Sequence, residues 1–192
     1  MNQLVFATNN SHKTEEVKTL LWPQYQVRNL VDIGFFTDIP ETGISFAENA
    51  TLKSSYVTEH FKLNCFADDS GLEVEALDNE PGIFSARYSG SRGDELNLNF
   101  LLMKMQGITN RKARFKTVIS LMKDGENFLF EGIINGQLRS EPMGTSGFGY
   151  DPIFQPDGYT ETFAQMTMEK KNEISHRAIA MRKLIEFLKN TS

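Results

Sequence analysis

The stretch Phe66 to Leu77, FADDSGLEVEAL, constrains this chain more than any other. Cys65-Phe66-Ala67 is a short apolar run, long enough to end a buried strand. Two adjacent carboxylates follow, Asp68 and Asp69, then the hydroxyl of Ser70 and the flexible Gly71. Leu72-Glu73-Val74-Glu75-Ala76 then alternates apolar and acidic, the pattern of a half-buried strand. Neighbouring acids at a strand end disfavour each other's ionised form. A divalent cation is the usual compensation. Mg²⁺ takes one or two carboxylates and leaves its other positions to water and substrate phosphate. The alternative is an Asp-Asp-Ser-Gly surface turn, because these residues are all turn formers.

The chain's 192 residues suit one domain, with room for two lobes. The formal charge of −5 and the absence of a basic run argue against binding nucleic acid through its phosphates. A small anionic substrate stays open, since a few local cations suffice for it. Cys65, the single cysteine, has no internal disulfide partner and sits in an apolar run, so it reads as a core residue. The N-terminus has neither a basic start nor a long apolar region, so no signal peptide is expected. No stretch approaches the roughly 18 apolar residues of a membrane span. The expectation is a reduced, cytoplasmic enzyme or binding protein.

Gln3 to Ala7 reads as a first strand. Thr8-Asn9-Asn10-Ser11-His12-Lys13 links it to a helix running to Leu21, with Asn10 or Ser11 as cap. A polar loop before a helix N-terminus is a ready anion site. Lys13 opposes the helix dipole there, which a bound phosphate would explain. The loop has no glycine, so it is not a P-loop. Gln26 to Val31 reads as a second strand, and the loop after it carries Glu41. Ser45 caps a helix from Phe46 to Phe61, with Glu48 completing a capping box. Asn49 and Lys53 share one face of that helix, which looks either at a site or only at water, with water the expected neighbour.

Further along, Pro81-Gly82 marks a turn, and Asp94 to Gln106 a helix with a leucine-rich core face. Ala113 to Met122 and Asn127 to Ile134 read as strands joined at Asp124-Gly125, a hairpin signal. Ser140 to Asp151 is a long unperiodic loop with three glycines, and Ile153-Phe154 a brief strand. From Ile174 an amphipathic stripe predicts a C-terminal helix. Ser175-His176-Arg177 lies in its first turn, where positive charge is unfavourable unless a ligand lies near or the turn is simply solvated. The fold class is α/β or mixed α+β, with helices on one curved sheet.

Taken together, these pieces resemble the inosine triphosphate pyrophosphatase family. The motifs are Thr8 to Lys13 with Glu16, and Glu41-Thr42-Gly43 with Phe46, Glu48-Asn49-Ala50 and Lys53. They continue as Ala67 to Leu72, then Pro81-Gly82-Ile83 with Ser85 to Tyr88. Gly147 to Phe154 and Lys171 with Ile174 to Arg177 complete the set. Six motifs in order, spanning nearly the whole chain, make a specific match. Asn9 stands where many members carry glycine, and asparagine tolerates unusual backbone angles.

The resemblance implies a long twisted mixed sheet flanked by helices, in two lobes with a central active cleft. It implies Mg²⁺-dependent hydrolysis of ITP, dITP and XTP to the monophosphate and pyrophosphate, usually by a homodimer. Asp69 then stands for the catalytic acid and a metal ligand, with Glu41 and Asp68 as further metal residues and Glu16 in support. The loop Thr8, Asn9, Asn10, Ser11, His12 and Lys13, with Lys53 and Lys171, would meet the phosphates. Ser70, Phe148, Gly149, Tyr150, Asp151, His176 and Arg177 complete the substrate residues. Phe148 would stack on the base, and His176 and Arg177 would donate to a 6-oxo group. Two other readings compete, besides that of a structural protein carrying the motifs incidentally. One is a Maf-like pyrophosphatase for modified pyrimidine triphosphates, against which the Gly147 to Phe154 and Ser175-His176-Arg177 signatures speak. The other is a non-catalytic nucleotide sensor, which need not keep Glu41, Asp68 and Asp69.

Overall fold

The computed structural model of the chain describes residues 2–190. Its strands are β1 (Asn2–Phe6), β2 (Tyr25–Arg28), β3 (Cys65–Val74), β4 (Lys112–Lys123), β5 (Glu126–Leu138) and β6 (Phe154–Pro156). Its α-helices are α1 (Ser11–Leu21), α2 (Phe46–Phe61), α3 (Asp94–Lys104), α4 (Met168–Ile174) and α5 (His176–Asn190). The strands form one mixed sheet in the order β2-β1-β3-β4-β5-β6. β1 runs parallel to both β2 and β3, and β5 antiparallel to β6. The expected α/β class, a mixed sheet with flanking helices, is thus what the chain adopts. Among the described residues no helix is long and apolar enough to cross a membrane.

The chain divides into two compact units. The first comprises Met1–Asp69, Thr117–Gly132 and Arg177–Ser192; the second comprises Ser70–Lys116 and Ile133–His176.

In the first unit, strand periodicity sorts the core into two layers. Successive side chains of a strand point to opposite faces. Leu4 and Phe6 of β1 and Phe66 of β3 pack with Val17 and Leu21 of α1 and with Met181, Leu184 and Leu188 of α5. Phe6 and Phe66 stack at 4.6 Å. Val5, Ala7, Cys65 and Ala67 take the other face and pack with Val57 of α2. Cys65 is therefore the core residue its apolar run predicted, and burial pushes its thiol pKa up.

The second unit has one core. Leu72 and Val74 of β3, Leu98 and Leu101 of α3, and Ala113 and Phe115 of β4 meet Phe154 and Phe163 there. Phe115 and Phe154 pack edge to face at 4.7 Å, a favoured aromatic geometry.

Several elements differ from the expectations. β3 does not break at the acidic pair: it runs unbroken through Asp68-Asp69-Ser70-Gly71. The turn reading fails because the carboxylates find partners on both faces of the sheet. β2 ends at Arg28, and Val31–Ile33 forms a 3₁₀ turn closed by Gly34 at φ 80°. α4 was not anticipated: seven residues, capped by the Thr167 side chain, too short and polar to show a stripe. Ser175 separates it from α5 with an extended backbone at ψ 155°. The hairpin turn is as read, with Asp124 and Gly125 both left-handed at φ 53° and 85°.

Candidate active site

The predicted site residues fall into two groups, one in each unit. The first group is built on β3. Because side chains alternate along a strand, Asp68 continues the row of Phe66, and Asp69 the row of Cys65 and Ala67. The contacts follow that rule. Asp68 accepts from Lys13 Nζ of α1 at 3.0 Å and from Arg177 Nε of α5 at 3.3 Å. Asp69 accepts from Asn49 Nδ2 of α2 at 3.0 Å. The expectation of a strand end at the acidic pair is therefore corrected: the strand continues, and each carboxylate is compensated on its own face.

Each carboxylate is buried, and each has cations near it. Asp68 is 2% exposed and Asp69 6%. Burial holds the Asp69 pKa above the usual carboxylate range. Lys53 and Lys13 pull it down, Glu41 pushes it further up, and the Asn49 hydrogen bond lowers it, but burial wins. Lys53 pairs with Glu41. Burial works against the Lys53 charge, yet Asp69, Glu41 and Asp68 outweigh it and raise its pKa. Lys13 shifts the other way. Burial lowers its pKa, and repulsion from Lys53 and Arg177 opposes the help of Asp68.

The loop before α1 is organised by its own side chains. Asn10 Oδ1 caps the helix by accepting from Lys13 N at 3.1 Å, which decides between the two cap candidates. Thr8 Oγ1 accepts from Asn10 N at 3.1 Å, and Asn9 donates to Asp38 at 3.3 Å. Ser11 is exposed in the first turn. The side chains of His12 and Glu16 lie outside the described residues.

Asn49 and Lys53 do not face water. Asn49 is fully buried, and Lys53 is 9% exposed. The buried stripe of α2 is Phe46, Asn49, Ala50, Lys53, Ser54 and Val57. That is helical core spacing with three polar members set into it. Gly43 N donates to Asn49 Oδ1 at 2.9 Å, fixing the side chain so that its amide group aims at Asp69. Ser45 caps α2 as expected, accepting from Glu48 N at 3.2 Å. Glu48 itself reaches back to Ile44 N at 2.9 Å, one residue before the cap.

The second group surrounds Asp151. Its Oδ2 accepts from Lys171 Nζ of α4 at 2.8 Å and from Phe148 N at 2.9 Å. Lys171 is 4% exposed. Its ammonium lies 4.7 Å from the centre of the Phe148 ring, within cation–π reach. Gly147 sits at φ 78°, and a Cβ there would lie 2.2 Å from Asp151 Oδ2. Gly149 N donates to Asp94 Oδ2 at 2.8 Å, and Tyr150 Oη to Ser85 O at 2.9 Å. His176 stacks on Phe115 at 4.8 Å with the rings nearly parallel. Ser70 follows Asp69 on β3, half-buried.

Among the described residues no three His, Cys, Asp or Glu side chains converge as a metal cage. Glu41 and Asp69 are coupled electrostatically, the Glu41 charge pushing the Asp69 pKa up, and Lys53, which pairs with Glu41, pulls it down. A buried carboxylate with a raised pKa beside a second carboxylate fits a hard divalent cation that keeps water and phosphate as its other ligands. Asp68 faces Lys13 and Arg177 on the opposite side of β3 and does not join such a pair directly.

Residues 4–187 match the model of the Ham1 family. The chain belongs to that family. The Ham1 assignment agrees with the resemblance carried by the six motifs. The dITP/XTP pyrophosphatase of Flavobacterium psychrophilum is 50% identical over 189 residues, covering 98% of this chain and 100% of that one. The dITP/XTP pyrophosphatase of Porphyromonas gingivalis is 47% identical, with 98% of each chain covered. Among solved structures, the Staphylococcus aureus Ham1 protein superposes with a TM-score of 0.90 at 41% identity, covering both chains completely.

Within this Ham1 chain the sequence reading missed two polar contacts that shape the site. One is Asn49, whose signal was present: it occupies a core position of the α2 stripe. The other is Asp94, whose bond to Gly149 N joins residues 55 apart and leaves no local pattern.

Proposed function

We propose that the chain hydrolyses deaminated purine nucleoside triphosphates, dITP, XTP and ITP, to the monophosphate and pyrophosphate. The observation that carries this is Asp69: a buried carboxylate with a raised pKa, aimed by Asn49 and flanked by Lys53 and Glu41. A general base needs proton affinity above that of an ordinary carboxylate to work near neutrality. The names of the curated relatives support the same reaction.

In this reading water attacks the α-phosphorus, and Asp69 takes its proton. The bond to the bridging oxygen breaks, and pyrophosphate leaves. Lys13 and Lys53 oppose the growing charge, with the α1 loop, Thr8 to Lys13, donating to phosphate oxygens. Glu41 and Asp69 would hold Mg²⁺, with Asp68 as an outer partner. Because a cation lowers the pKa of a carboxylate it binds, Asp69 would hold the ion through one oxygen and take the proton with the other, or receive it from a water the ion has already made acidic. When bound, Mg²⁺ supplies charge neutralisation at the phosphates and a more acidic water. In the second unit, Phe148 is the stacking face for the base. Asp151 and Lys171 fix the loop that carries it, beside Gly149 and Tyr150. Ser70 meets the substrate next to Asp69, and His176 and Arg177 donate to the 6-oxo group. A homodimer is what the family resemblance implies, and a cytoplasmic location is the expectation carried by the composition.

The test is pyrophosphate release from ITP, XTP, GTP and ATP, with Mg²⁺ and with chelator. Metal-dependent release from ITP and XTP, with GTP and ATP far slower, is the expected result. Release from all four would discard the donor role of His176 and Arg177. Tight ITP binding without release would turn the reading to a sensor.

A further inference from the structure

α2 is tied to the β4–β5 hairpin by a ring of polar side chains, closed through the α2 backbone, that no catalytic step uses. Ser54 Oγ lies 2.7 Å from Ser120 Oγ, and Ser120 Oγ lies 2.6 Å from Asn127 Oδ1. Asn127 Nδ2 lies 3.0 Å from Thr51 Oγ1. Ser54 and Ser120 are both fully buried.

With the Asn127 amide oriented as it stands, Oδ1 toward Ser120 and Nδ2 toward Thr51, the proton directions in this ring follow. Asn127 Oδ1 can only accept, so the single Ser120 proton is committed to it. Ser120 must then accept from Ser54, whose contact with Thr51 O is longer, at 3.2 Å. Asn127 Nδ2 donates to Thr51 and closes the circuit back on α2. Each member satisfies its neighbour, so removing Asn127 takes from the buried Ser120 hydroxyl its acceptor.

The ring grips α2 at Thr51, within one turn of Asn49, and at Ser54, adjacent to Lys53. An apolar stripe holds a helix against a sheet but resists rotation and sliding weakly. Directional hydrogen bonds resist both. We infer that Ser120 and Asn127 are positioning residues that set the rotation of α2, and through it the aim of Asn49 at Asp69. This rests on the reading of Asp69 as the reacting base.

The test compares Ser120→Ala, Asn127→Ala and Asn127→Asp with the wild type. Asn127 is at the surface, so its alanine variant opens the ring without emptying the core. Asn127→Asp keeps an acceptor for Ser120, and Thr51 can donate to its second oxygen, so the ring stays closed. Two readouts are taken: kcat and KM on ITP, and the NMR resonances of the Asn49 side-chain amide. Both alanine variants should lose about ten-fold or more in kcat, as expected of small misplacements, with a smaller change in KM. Both should shift or broaden the Asn49 amide signals, and Asn127→Asp should restore kcat and signals together. Unchanged Asn49 signals and kcat in Asn127→Ala, even with a lower Tm, overturn the inference. If the wild type hydrolyses no nucleotide, the functional reading falls alone, and the Asn49 signals still decide whether the ring positions α2.

Discussion

Asp68 and Asp69 are joined by one peptide bond, yet their carboxylates serve opposite faces of β3. Asp68 meets Lys13 and Arg177, from α1 and α5, and Asp69 meets Asn49, from α2. The first is a carboxylate held between two cations. The second is a buried carboxylate whose charge costs stability. Removing the charge at these neighbours should therefore have opposite effects on stability.

Asp68→Asn should destabilise the protein. It removes the shared negative charge from two largely buried cations and turns one of their two acceptor oxygens into a donor. Breaking a buried pair on one side typically costs about 3–5 kcal/mol. For a chain of this size that lowers the Tm by roughly 6–20 °C. Calorimetry of the variant checks it, and an unchanged Tm would show that Asp68 is not the counter-ion of Lys13 and Arg177.

Asp69→Asn should raise the Tm at neutral pH while abolishing turnover. The folded pKa of Asp69 lies above its ordinary value of 3.8 because burial dominates. Between the two values the folded chain holds a proton that the unfolded chain has lost. Stability from this group therefore falls as pH rises through that window and levels off above the folded pKa. Metal-free Tm measured against pH should show the slope in the wild type and lose it in Asp69→Asn. Turnover should drop by about 10²–10⁴-fold, the range for a general base. A variant that keeps turnover would remove Asp69 from the chemistry.

Phe148→Ala should raise KM for ITP more than it lowers kcat. Stacking of a base on an aromatic ring is worth about 1–3 kcal/mol, or roughly 5- to 150-fold in affinity. Steady-state kinetics separates the two constants. A KM equal to that of the wild type would end the stacking role.

Gly147→Ala should weaken nucleotide binding without touching any group that contacts the Asp69 cluster. Its Cβ would meet Asp151 Oδ2 at 2.2 Å, with φ 78° already unfavourable for alanine. Asp151 would have to leave Lys171 or the Phe148 amide. Titration calorimetry with ITP in chelator reads the loss. Wild-type affinity would mean that this turn does not hold the base.

Much of the fold was legible in local patterns. The Ser45 cap and the span of α2, the Asp124-Gly125 turn, and the burial of Cys65 all rest on neighbours within a few residues. The route of β3 through its acids did not. A strand can carry two adjacent carboxylates only if partners wait on both faces, and those partners are Lys13, Asn49 and Arg177. Their sequence separations from the pair run to 109 residues. Asn49 was misjudged for a different reason. Water is the default neighbour of a polar helix face, whereas the place of Asn49 in the Phe46, Ala50, Val57 stripe marks it as buried. α4 escaped because one short polar turn-and-a-half has no stripe to read.

The alternation along β3 also sets what kind of genetic change this segment can absorb. A side-chain replacement at Cys65, Phe66 or Ala67 alters one contact and leaves the phase of the strand intact. Loss or gain of a single codon there would rotate everything downstream by half a period. Asp68 would then present to α2, and Asp69 to Lys13 and Arg177, with neither finding its own partners. Between Cys65 and Asp69 the chain can vary in spelling but not in length.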